Sequence, residues 1–187
     1  MESKRVLIVG TVIFVCALLI LNTGIFGLMS TRASSEETIT FKGLFKEKTT
    51  ILSTSELKSL GKHYVSVTMI GSHKGYIGQY VYTGVPLKEA MLAAGYEGTR
   101  GEDVSCEDFI RVIGKDGYGV VLSWGEVFNR MDGMDIILAY EKDGKPLGDA
   151  EGSIRLIVPG DYYCSRYVKG VARIEALTGY RQAPSKK

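Results

Sequence analysis

The stretch that decides the fold reads Ile154-Arg155-Leu156-Ile157-Val158-Pro159-Gly160-Asp161-Tyr162-Tyr163-Cys164-Ser165-Arg166-Tyr167-Val168-Lys169-Gly170-Val171-Ala172-Arg173-Ile174-Glu175-Ala176-Leu177. Two apolar, β-branched runs flank the turn residues Pro159-Gly160-Asp161, in which proline presets φ, glycine permits a positive φ and aspartate bonds its own backbone. The pattern predicts a hairpin of two strands. Its loop carries Arg166 and Lys169, which are chemically suited to hold an anion or a phosphate. The alternative is that both charges are solvated, as most lysines and arginines are.

The composition is that of one ordinary globular domain with an additional terminal segment. The chain has 187 residues, of which 45% are hydrophobic and 24% are charged. A net charge of +2 provides no electrostatic footprint for nucleic acid, so we do not expect nucleic acid as a partner. The 23 glycines imply many turns and favour a strand-rich fold. Three cysteines without a CxxC motif and only two histidines predict no zinc site.

Residues 1–29 carry a membrane signal. Lys4 and Arg5 precede an apolar segment that runs to Met29 with one polar interruption. A positive flank before such a segment is typical of a signal peptide or an uncleaved anchor, and the segment is long enough to cross a hydrocarbon core of about 30 Å. We favour the anchor, because the arginine in Thr31-Arg32-Ala33 makes a poor cleavage site. Either alternative places the globular part outside the cytoplasm, as a membrane-anchored or secreted domain.

The remaining chain divides into a linker, a domain and a tail. Residues 30–37 are polar and predict a linker, residues 38–180 form the domain, and residues 181–187 form a flexible polar tail. Cys106 and Cys164 both fall in the domain. An extracytoplasmic compartment allows a disulfide between them, and the sequence leaves that pairing open.

Hydrophobic periodicity and turn residues predict an α+β domain. Alternation predicts strands at 38–44, 64–70, 107–114, 118–122 and 136–140, and Ser or Thr caps predict short helices near 54–60 and 123–128. A further helix follows Val85-Pro86, with its apolar stripe in the core and Gly95 at its end. The glycine-rich segment 71–84 predicts a hairpin or an exposed loop. About seven or eight strands and two or three short helices favour mainly antiparallel or mixed sheets.

Four segments together resemble the molybdopterin-binding domain of the sulfite oxidase family. They are Tyr82-Thr83-Gly84-Val85-Pro86-Leu87, Asp116-Gly117-Tyr118, Leu138-Ala139-Tyr140 with Asp143-Gly144-Lys145-Pro146-Leu147, and the closing segment from Arg155 to Glu175. The closing Val-Pro-Gly, Arg-x-Val-Lys and Arg-Ile-Glu pattern is the most specific part. The resemblance runs from about Phe41 to Leu177, nearly the whole globular part.

The resemblance implies a sulfite-oxidase-type fold that cradles the pterin and phosphate of a molybdopterin cofactor. Arg166 and Lys169 match the family's basic residues near the cofactor. On this interpretation the cofactor, or another small anionic ligand, lies in a cleft lined by His73, Lys74, Tyr118, Tyr163, Arg166 and Lys169. The chemistry implied is that of an oxidoreductase with a redox partner in or near the membrane.

The sequence departs from the family at the metal ligand. Catalytic members carry a molybdenum-ligating cysteine shortly before the Gly-Val-Pro-Leu motif, whereas Ile70–Gly75 contains none. Cys164 lies in the loop of Arg166 and Lys169 and is a weak candidate ligand, so we name no metal-ligating residue. The alternative function is therefore a non-catalytic binding module that keeps the fold, has lost molybdenum ligation and uses the 71–84 segment against a ligand, a peptide or a membrane partner.

Overall fold

The computed structural model describes residues 36–98, 107–130 and 135–179. All of them belong to one compact unit that runs from Glu36 to Lys187. The predicted anchor, most of the linker and the tail lie outside the described residues, so those predictions stay as they are. Within the described ranges, no helix is long and apolar enough to span a membrane.

Ten strands and three short helices follow one another along the described chain. In order they are β1 (Thr38–Gly43), β2 (Thr49–Ser53), α1 (Thr54–Ser59), β3 (His63–Gly71), β4 (Gly75–Pro86), α2 (Leu87–Ala93), β5 (Asp108–Gly114), β6 (Gly119–Ser123), α3 (Trp124–Phe128), β7 (Ile137–Lys142), β8 (Lys145–Pro146), β9 (Arg155–Ile157) and β10 (Val171–Thr178). A single 3₁₀ turn, Cys164–Arg166, precedes β10. The predicted elements therefore form close to their expected positions.

The strands form two five-stranded sheets. The first has the order β2–β1–β10–β5–β6, and β1 pairs with β10 in parallel while its other pairs are antiparallel. The second has the order β3–β4–β7–β8, with β9 also paired to β7, and is antiparallel throughout. The expectation of α+β architecture with mixed and antiparallel sheets is thus confirmed.

Local sequence signals position the helices. Ser53 and Ser123 each cap a helix and form a capping box with the glutamate three residues later, which satisfies two backbone N–H groups at each helix start. Helix α2 buries Leu87, Ala90 and Met91, the stripe that the sequence assigned to the core. Each helix therefore begins where the chain offers a cap or a proline.

The predicted C-terminal hairpin is wrong. Strand β9 pairs with β7 in the second sheet, where Leu156 lies opposite Leu138, whereas β10 pairs with β1 and β5 in the first. Only two backbone hydrogen bonds join the two segments, from Leu156 N to Val168 O at 2.8 Å and from Val171 N to Ile154 O at 2.9 Å. Strand β9 is fully buried, so its apolar side chains pack within a sheet rather than along an exposed hairpin. The chain thus passes from one sheet to the other through the loop that carries Arg166 and Lys169.

The glycine-rich segment forms a hairpin, one of the two alternatives. Residues 72–74 turn between β3 and β4, and β4 is the longest strand that the structure describes. Gly84 lies in β4 opposite Ala139 of β7, at a register shift between the two strands, and a Cβ there would stand 2.3 Å from Leu138 O. Glycine is needed at this position because the two backbones approach each other closely, not because the chain must be flexible.

Candidate functional site

A cleft of about 410 Å³ opens where the β5–β6 turn and the loop before β10 face the second sheet. Its walls come from strands β3, β4, β7 and β9, from Tyr118 in the β5–β6 turn, from Glu151, and from the loop residues Cys164, Ser165, Tyr167 and Lys169. A cleft of this size suits a drug-sized ligand or cofactor. The loop in which the chain passes from the second sheet to the first therefore forms one wall of a cleft large enough to bind a ligand.

Three cations and one carboxylate line the cleft. They are Lys142, Arg155, Lys169 and Glu151. Lys142 Nζ lies 3.9 Å from Glu151 Oε1 and 3.8 Å from the centroid of the Tyr80 ring. Lys169 is exposed and forms no ion pair with any residue in the described ranges. The lining is therefore cationic and suited to an anionic ligand.

Arg155 is the buried cation of the site. The residue is only 5% exposed, and its Nη1 donates to Glu151 Oε1 and, at 3.2 Å, to Tyr82 Oη. Its Nε is buried without a hydrogen-bond partner. Buried donors in proteins are nearly always paired, so this N–H is an exception in the protein interior.

Tyrosines give the cleft flat, neutral faces. Tyr80, Tyr118 and Tyr167 line it, and the Tyr167 ring centroid lies 5.9 Å from Arg155 Cζ. Burial raises the pKa of Tyr167 to about 12, so its phenol is neutral at physiological pH. Tyr118 Oη donates to Ser165 O at 2.5 Å, which ties the β5–β6 turn to the loop before β10.

Two sulfur atoms also belong to the lining. Met69 presents a thioether whose sulfur accepts a hydrogen bond from Tyr82 Oη at 3.4 Å, and Cys164 presents a half-buried free thiol. Burial raises the pKa of Tyr82 to about 12, so Tyr82 remains a donor to the Met69 sulfur while it accepts from Arg155. Cys106 lies outside the described residues, so the pairing with Cys164 stays untested.

Arg166 holds the loop in place. Its Nε and Nη2 bond the two oxygens of Asp161 at 2.8 and 2.5 Å, and its Nη1 bonds Glu126 Oε1 at 2.8 Å. These bonds, first of all those to Asp161, raise the pKa of Arg166. Burial acts to raise the pKa of Glu126, but hydrogen bonds from Ser123 and Arg166 outweigh it and leave that pKa lowered. The arginine thus ties the loop to the first turn of α3.

The cleft brings together only part of the predicted set of site residues. Tyr118 and Lys169 line it. Arg166 is in the loop network, and Tyr163 is exposed with its ring 4.8 Å from that of Tyr162. The other two predicted residues, at positions 73 and 74, lie in the exposed β3–β4 turn.

The sequence interpretation missed two cationic residues of the cleft, Arg155 and Lys142. Arg155 had a signal, because a charge inside the apolar run 154–158 is expensive to bury and needs a function or a partner. Lys142 had none, because its approach to the cleft depends on how β7 pairs. Among the described residues no group of three or more His, Cys, Asp or Glu side chains is arranged to hold a metal ion.

The fold agrees with comparisons to known proteins. The profile of the oxidoreductase molybdopterin binding domain matches residues 29–184, most of the chain. No curated protein matches the chain significantly. Among solved structures, the chain is similar to the sulfane dehydrogenase SoxCD from Paracoccus pantotrophus, with a TM-score of 0.62 and 20% identity.

That likeness covers 80% of this chain and 39% of the SoxCD chain, so the chain spans about two-fifths of the length of that enzyme chain. At this identity the likeness shows the fold alone. The fold and the profile match together confirm the resemblance seen in the sequence. The chain belongs to the oxidoreductase molybdopterin-binding domain family.

Proposed function

We propose that this chain binds a molybdopterin-type cofactor in the cleft and works as part of an oxidoreductase system. The observation that carries the proposal is the excess of cations over carboxylates in a tyrosine-lined cleft of a molybdopterin-binding domain. The organic part of such a cofactor is a flat pterin with an anionic phosphate. The tyrosine rings of the cleft suit the flat pterin, and its cations suit the phosphate.

Arg155 and Lys169 are the residues we assign to the anionic group. Arg155 is a buried cation in the cleft wall that is paired with Glu151, and Lys169 offers a charge that no carboxylate among the described residues neutralises. Charge-assisted bonds to phosphate or pterin oxygens are strong and directional for arginine, and lysine acts as a point charge. Tyr118 and Tyr167 provide planar faces and exclude water beside the ligand. The bound cofactor would supply the redox chemistry.

We further propose that the domain lies outside the cytoplasm, tethered to the membrane by residues 1–29 or released by cleavage at Thr31-Arg32-Ala33. The support is the positive flank and the apolar segment of the sequence. A redox partner in or near the same membrane would then exchange electrons with the site. Cell fractionation with an antibody to the domain tests this, and recovery in the cytoplasmic fraction alone would contradict it.

A second candidate function is a non-catalytic binding module that has lost molybdenum ligation. One observation favours it: the segment Ile70–Gly75 holds no cysteine. Soft metal–thiolate bonding has no substitute in the serine and histidine present there. Such a module would use the same cationic cleft for an anionic ligand without redox turnover.

Cofactor content separates the two candidates. The full-length chain is purified in detergent from cells that synthesise the cofactor, pterin is measured by fluorescence after oxidative release, and molybdenum and tungsten are measured by elemental analysis. Stoichiometric pterin supports the first candidate, whereas pterin and metal at the level of a mock purification would overturn it. Lys169→Ala should lower pterin occupancy, and Lys88→Ala, an exposed lysine on α2, is the matched control.

A further inference from the structure

We propose that Lys142 is a further ligand-binding residue of the cleft and that Glu151 sets the charge of the anion that the cleft prefers. Both residues line the cleft. The inference deepens the proposed function and rests on its anion-binding cleft. Neither residue is among those that the sequence resemblance implied.

The ammonium group of Lys142 lacks a hydrogen-bond acceptor within residues 36–98, 107–130 and 135–179. Its Nζ lies 3.9 Å from Glu151 Oε1, which is too long for a hydrogen bond, and 3.8 Å from the centroid of the Tyr80 ring. The side chain is only 28% exposed, so water reaches just part of it. An ammonium carries three donors, and its bonds to ionised acceptors are the strong ones. Lys142 is therefore free to bond an anion that enters the cleft.

Glu151 does not fully neutralise Lys142, because its carboxylate is shared. The same Oε1 accepts from Arg155 Nη1, and the Arg155 side chain is only 6% exposed. A buried guanidinium without its partner is strongly destabilising, so the carboxylate stays with Arg155. One negative charge thus faces two positive charges. The surplus lies at Lys142, which is the more exposed and the less closely bonded of the two cations.

The balance of charge in the lining defines the preferred anion. Lys169 is the third cation, and Glu151 is the one carboxylate among the described residues of the lining, so two positive charges are left over. A phosphate monoester carries about −1.5 to −2 charges at pH 7 and matches this surplus. A sulfate monoester has nearly the same shape and remains a monoanion. Removing the charge of Glu151 would enlarge the surplus and strengthen the attraction for both esters.

Phenyl phosphate and phenyl sulfate are suitable probes, because each joins a flat ring to an anionic ester and the two differ in charge. The full-length chain is purified in non-ionic detergent from cells that do not synthesise the cofactor. Binding is measured by isothermal titration calorimetry in low salt, where charge interactions are least screened. The wild type should bind phenyl phosphate more tightly than phenyl sulfate. Equal affinities, or no binding of either ester, would overturn the inference.

Lys142→Met keeps an unbranched side chain beside the Tyr80 ring and removes the ammonium. It should weaken phenyl phosphate binding by at least about tenfold, since a hydrogen bond to a charged group contributes that factor or more. It should also reduce the preference over phenyl sulfate. Lys58→Met is the matched control, because Lys58 Nζ lies 5.4 Å from the Tyr140 ring centroid and Lys58 does not line the cleft. Wild-type affinity in Lys142→Met, or an equal loss in Lys58→Met, contradicts the assignment.

Glu151→Gln should act in the opposite direction and strengthen phenyl phosphate binding by at least about tenfold. Glu175→Gln is its matched control, because Glu175 also lies beside two arginines, its side chain is 19% exposed and it does not line the cleft. Since Glu151→Gln leaves Arg155 without its counterion, melting temperatures are measured as well, and phenyl phosphate should stabilise this variant more than the wild type. Weaker binding without extra stabilisation would refute the role of Glu151. If Glu151→Gln does not fold, Lys142→Met and the wild-type preference decide the inference.

The outcomes separate this inference from the proposed function. Stoichiometric pterin in protein from cofactor-producing cells, with an unchanged phenyl phosphate affinity in Lys142→Met, overturns the inference alone. Phenyl phosphate binding that requires Lys142, in a protein that takes up no pterin, overturns the cofactor assignment. The inference then stands for another ligand that carries a phosphate monoester.

Discussion

Replacing Arg166 with alanine should release the loop before β10 from helix α3 and destabilise the whole domain. The side chain makes two bonds to Asp161 and one to Glu126. Removing it leaves two carboxylates without their partner, and the Asp161 side chain is only 18% exposed. The loop that carries Cys164 and Lys169 would then lose its main side-chain attachment.

The size of the destabilisation follows from how exposed to solvent each of these hydrogen bonds is. The pair with Glu126 is about one-third exposed on both sides, so solvent reduces it to about 0–1 kcal/mol. The bidentate pair with Asp161 is better shielded and should contribute about 1.5–2 kcal/mol. We therefore expect Arg166→Ala to lower the free energy of unfolding by about 1.5–3 kcal/mol, which lowers the melting temperature by about 3–12 °C for a domain of this size.

Urea unfolding followed by circular dichroism measures this change. Arg111→Ala is the matched control, because the Arg111 side chain is 50% exposed and stands 3.8 Å from a single carboxylate of Glu175. Arg166→Lys keeps the charge without the planar fork and should fall between wild type and Arg166→Ala. If Arg166→Ala costs no more than Arg111→Ala, the attachment role assigned to Arg166 is wrong.

Three further predictions concern backbone approach and protonation. Gly84→Ala should destabilise the domain by about 1–3 kcal/mol, because the added Cβ would meet Leu138 O. Gly125→Ala in α3 meets nothing within 4 Å and should stabilise the domain by about 0.5–1 kcal/mol. Equal effects of the two substitutions in urea unfolding would contradict this account. Burial raises the pKa of Tyr82 in the folded state from 10.0 to about 12. Tyr82 therefore contributes its full share to the free energy of unfolding below pH 10, and that share is lost as pH rises through 12. That loss should reach about 3 kcal/mol, and a denaturation midpoint that is flat across this range would refute it. The pKa of Glu126 is lower in the folded state than the unfolded value near 4.5, so its contribution to the free energy of unfolding is present above that value and is lost as pH falls. Glu126→Gln should therefore make the free energy of unfolding less dependent on pH in acid. An unchanged dependence in acid would argue against this role.

The local elements were predictable because their causes are local. The capping boxes at Ser53 and Ser123, the apolar stripe of α2 and the turn at Asp143-Gly144 all depend on residues within a few positions of one another. Alternating strands such as β3 show one buried face in the sequence itself. Short-range sterics and hydrogen bonding determine these features, so the sequence displays them directly.

Sheet membership and the roles of the basic residues depend on distant contacts. The apolar run around Arg155 marks it as a charge that needs a partner, but the partners of Arg166 are not visible nearby, since Glu126 lies forty residues away in the chain. Likewise, β9 and β10 look like hairpin partners until β7 and β1 compete for them. Family resemblance identified the fold and assigned the cationic role to Arg166 and Lys169, of which Lys169 lines the cleft and Arg166 lies in the adjoining loop network.

The parallel pairing of β1 with β10 has a consequence for how the protein is made. Phe41 lies opposite Ile174. Strand β1, the first of the described strands to be synthesised, therefore cannot pair with β10 until β10, the last of them, has been synthesised. Until Val171–Thr178 has emerged, β1 and β5 each present an open edge, which is a hazard for aggregation. A nascent chain that stops before Val171 would hold two separate hairpins, β1–β2 and β5–β6, with no strand to join them.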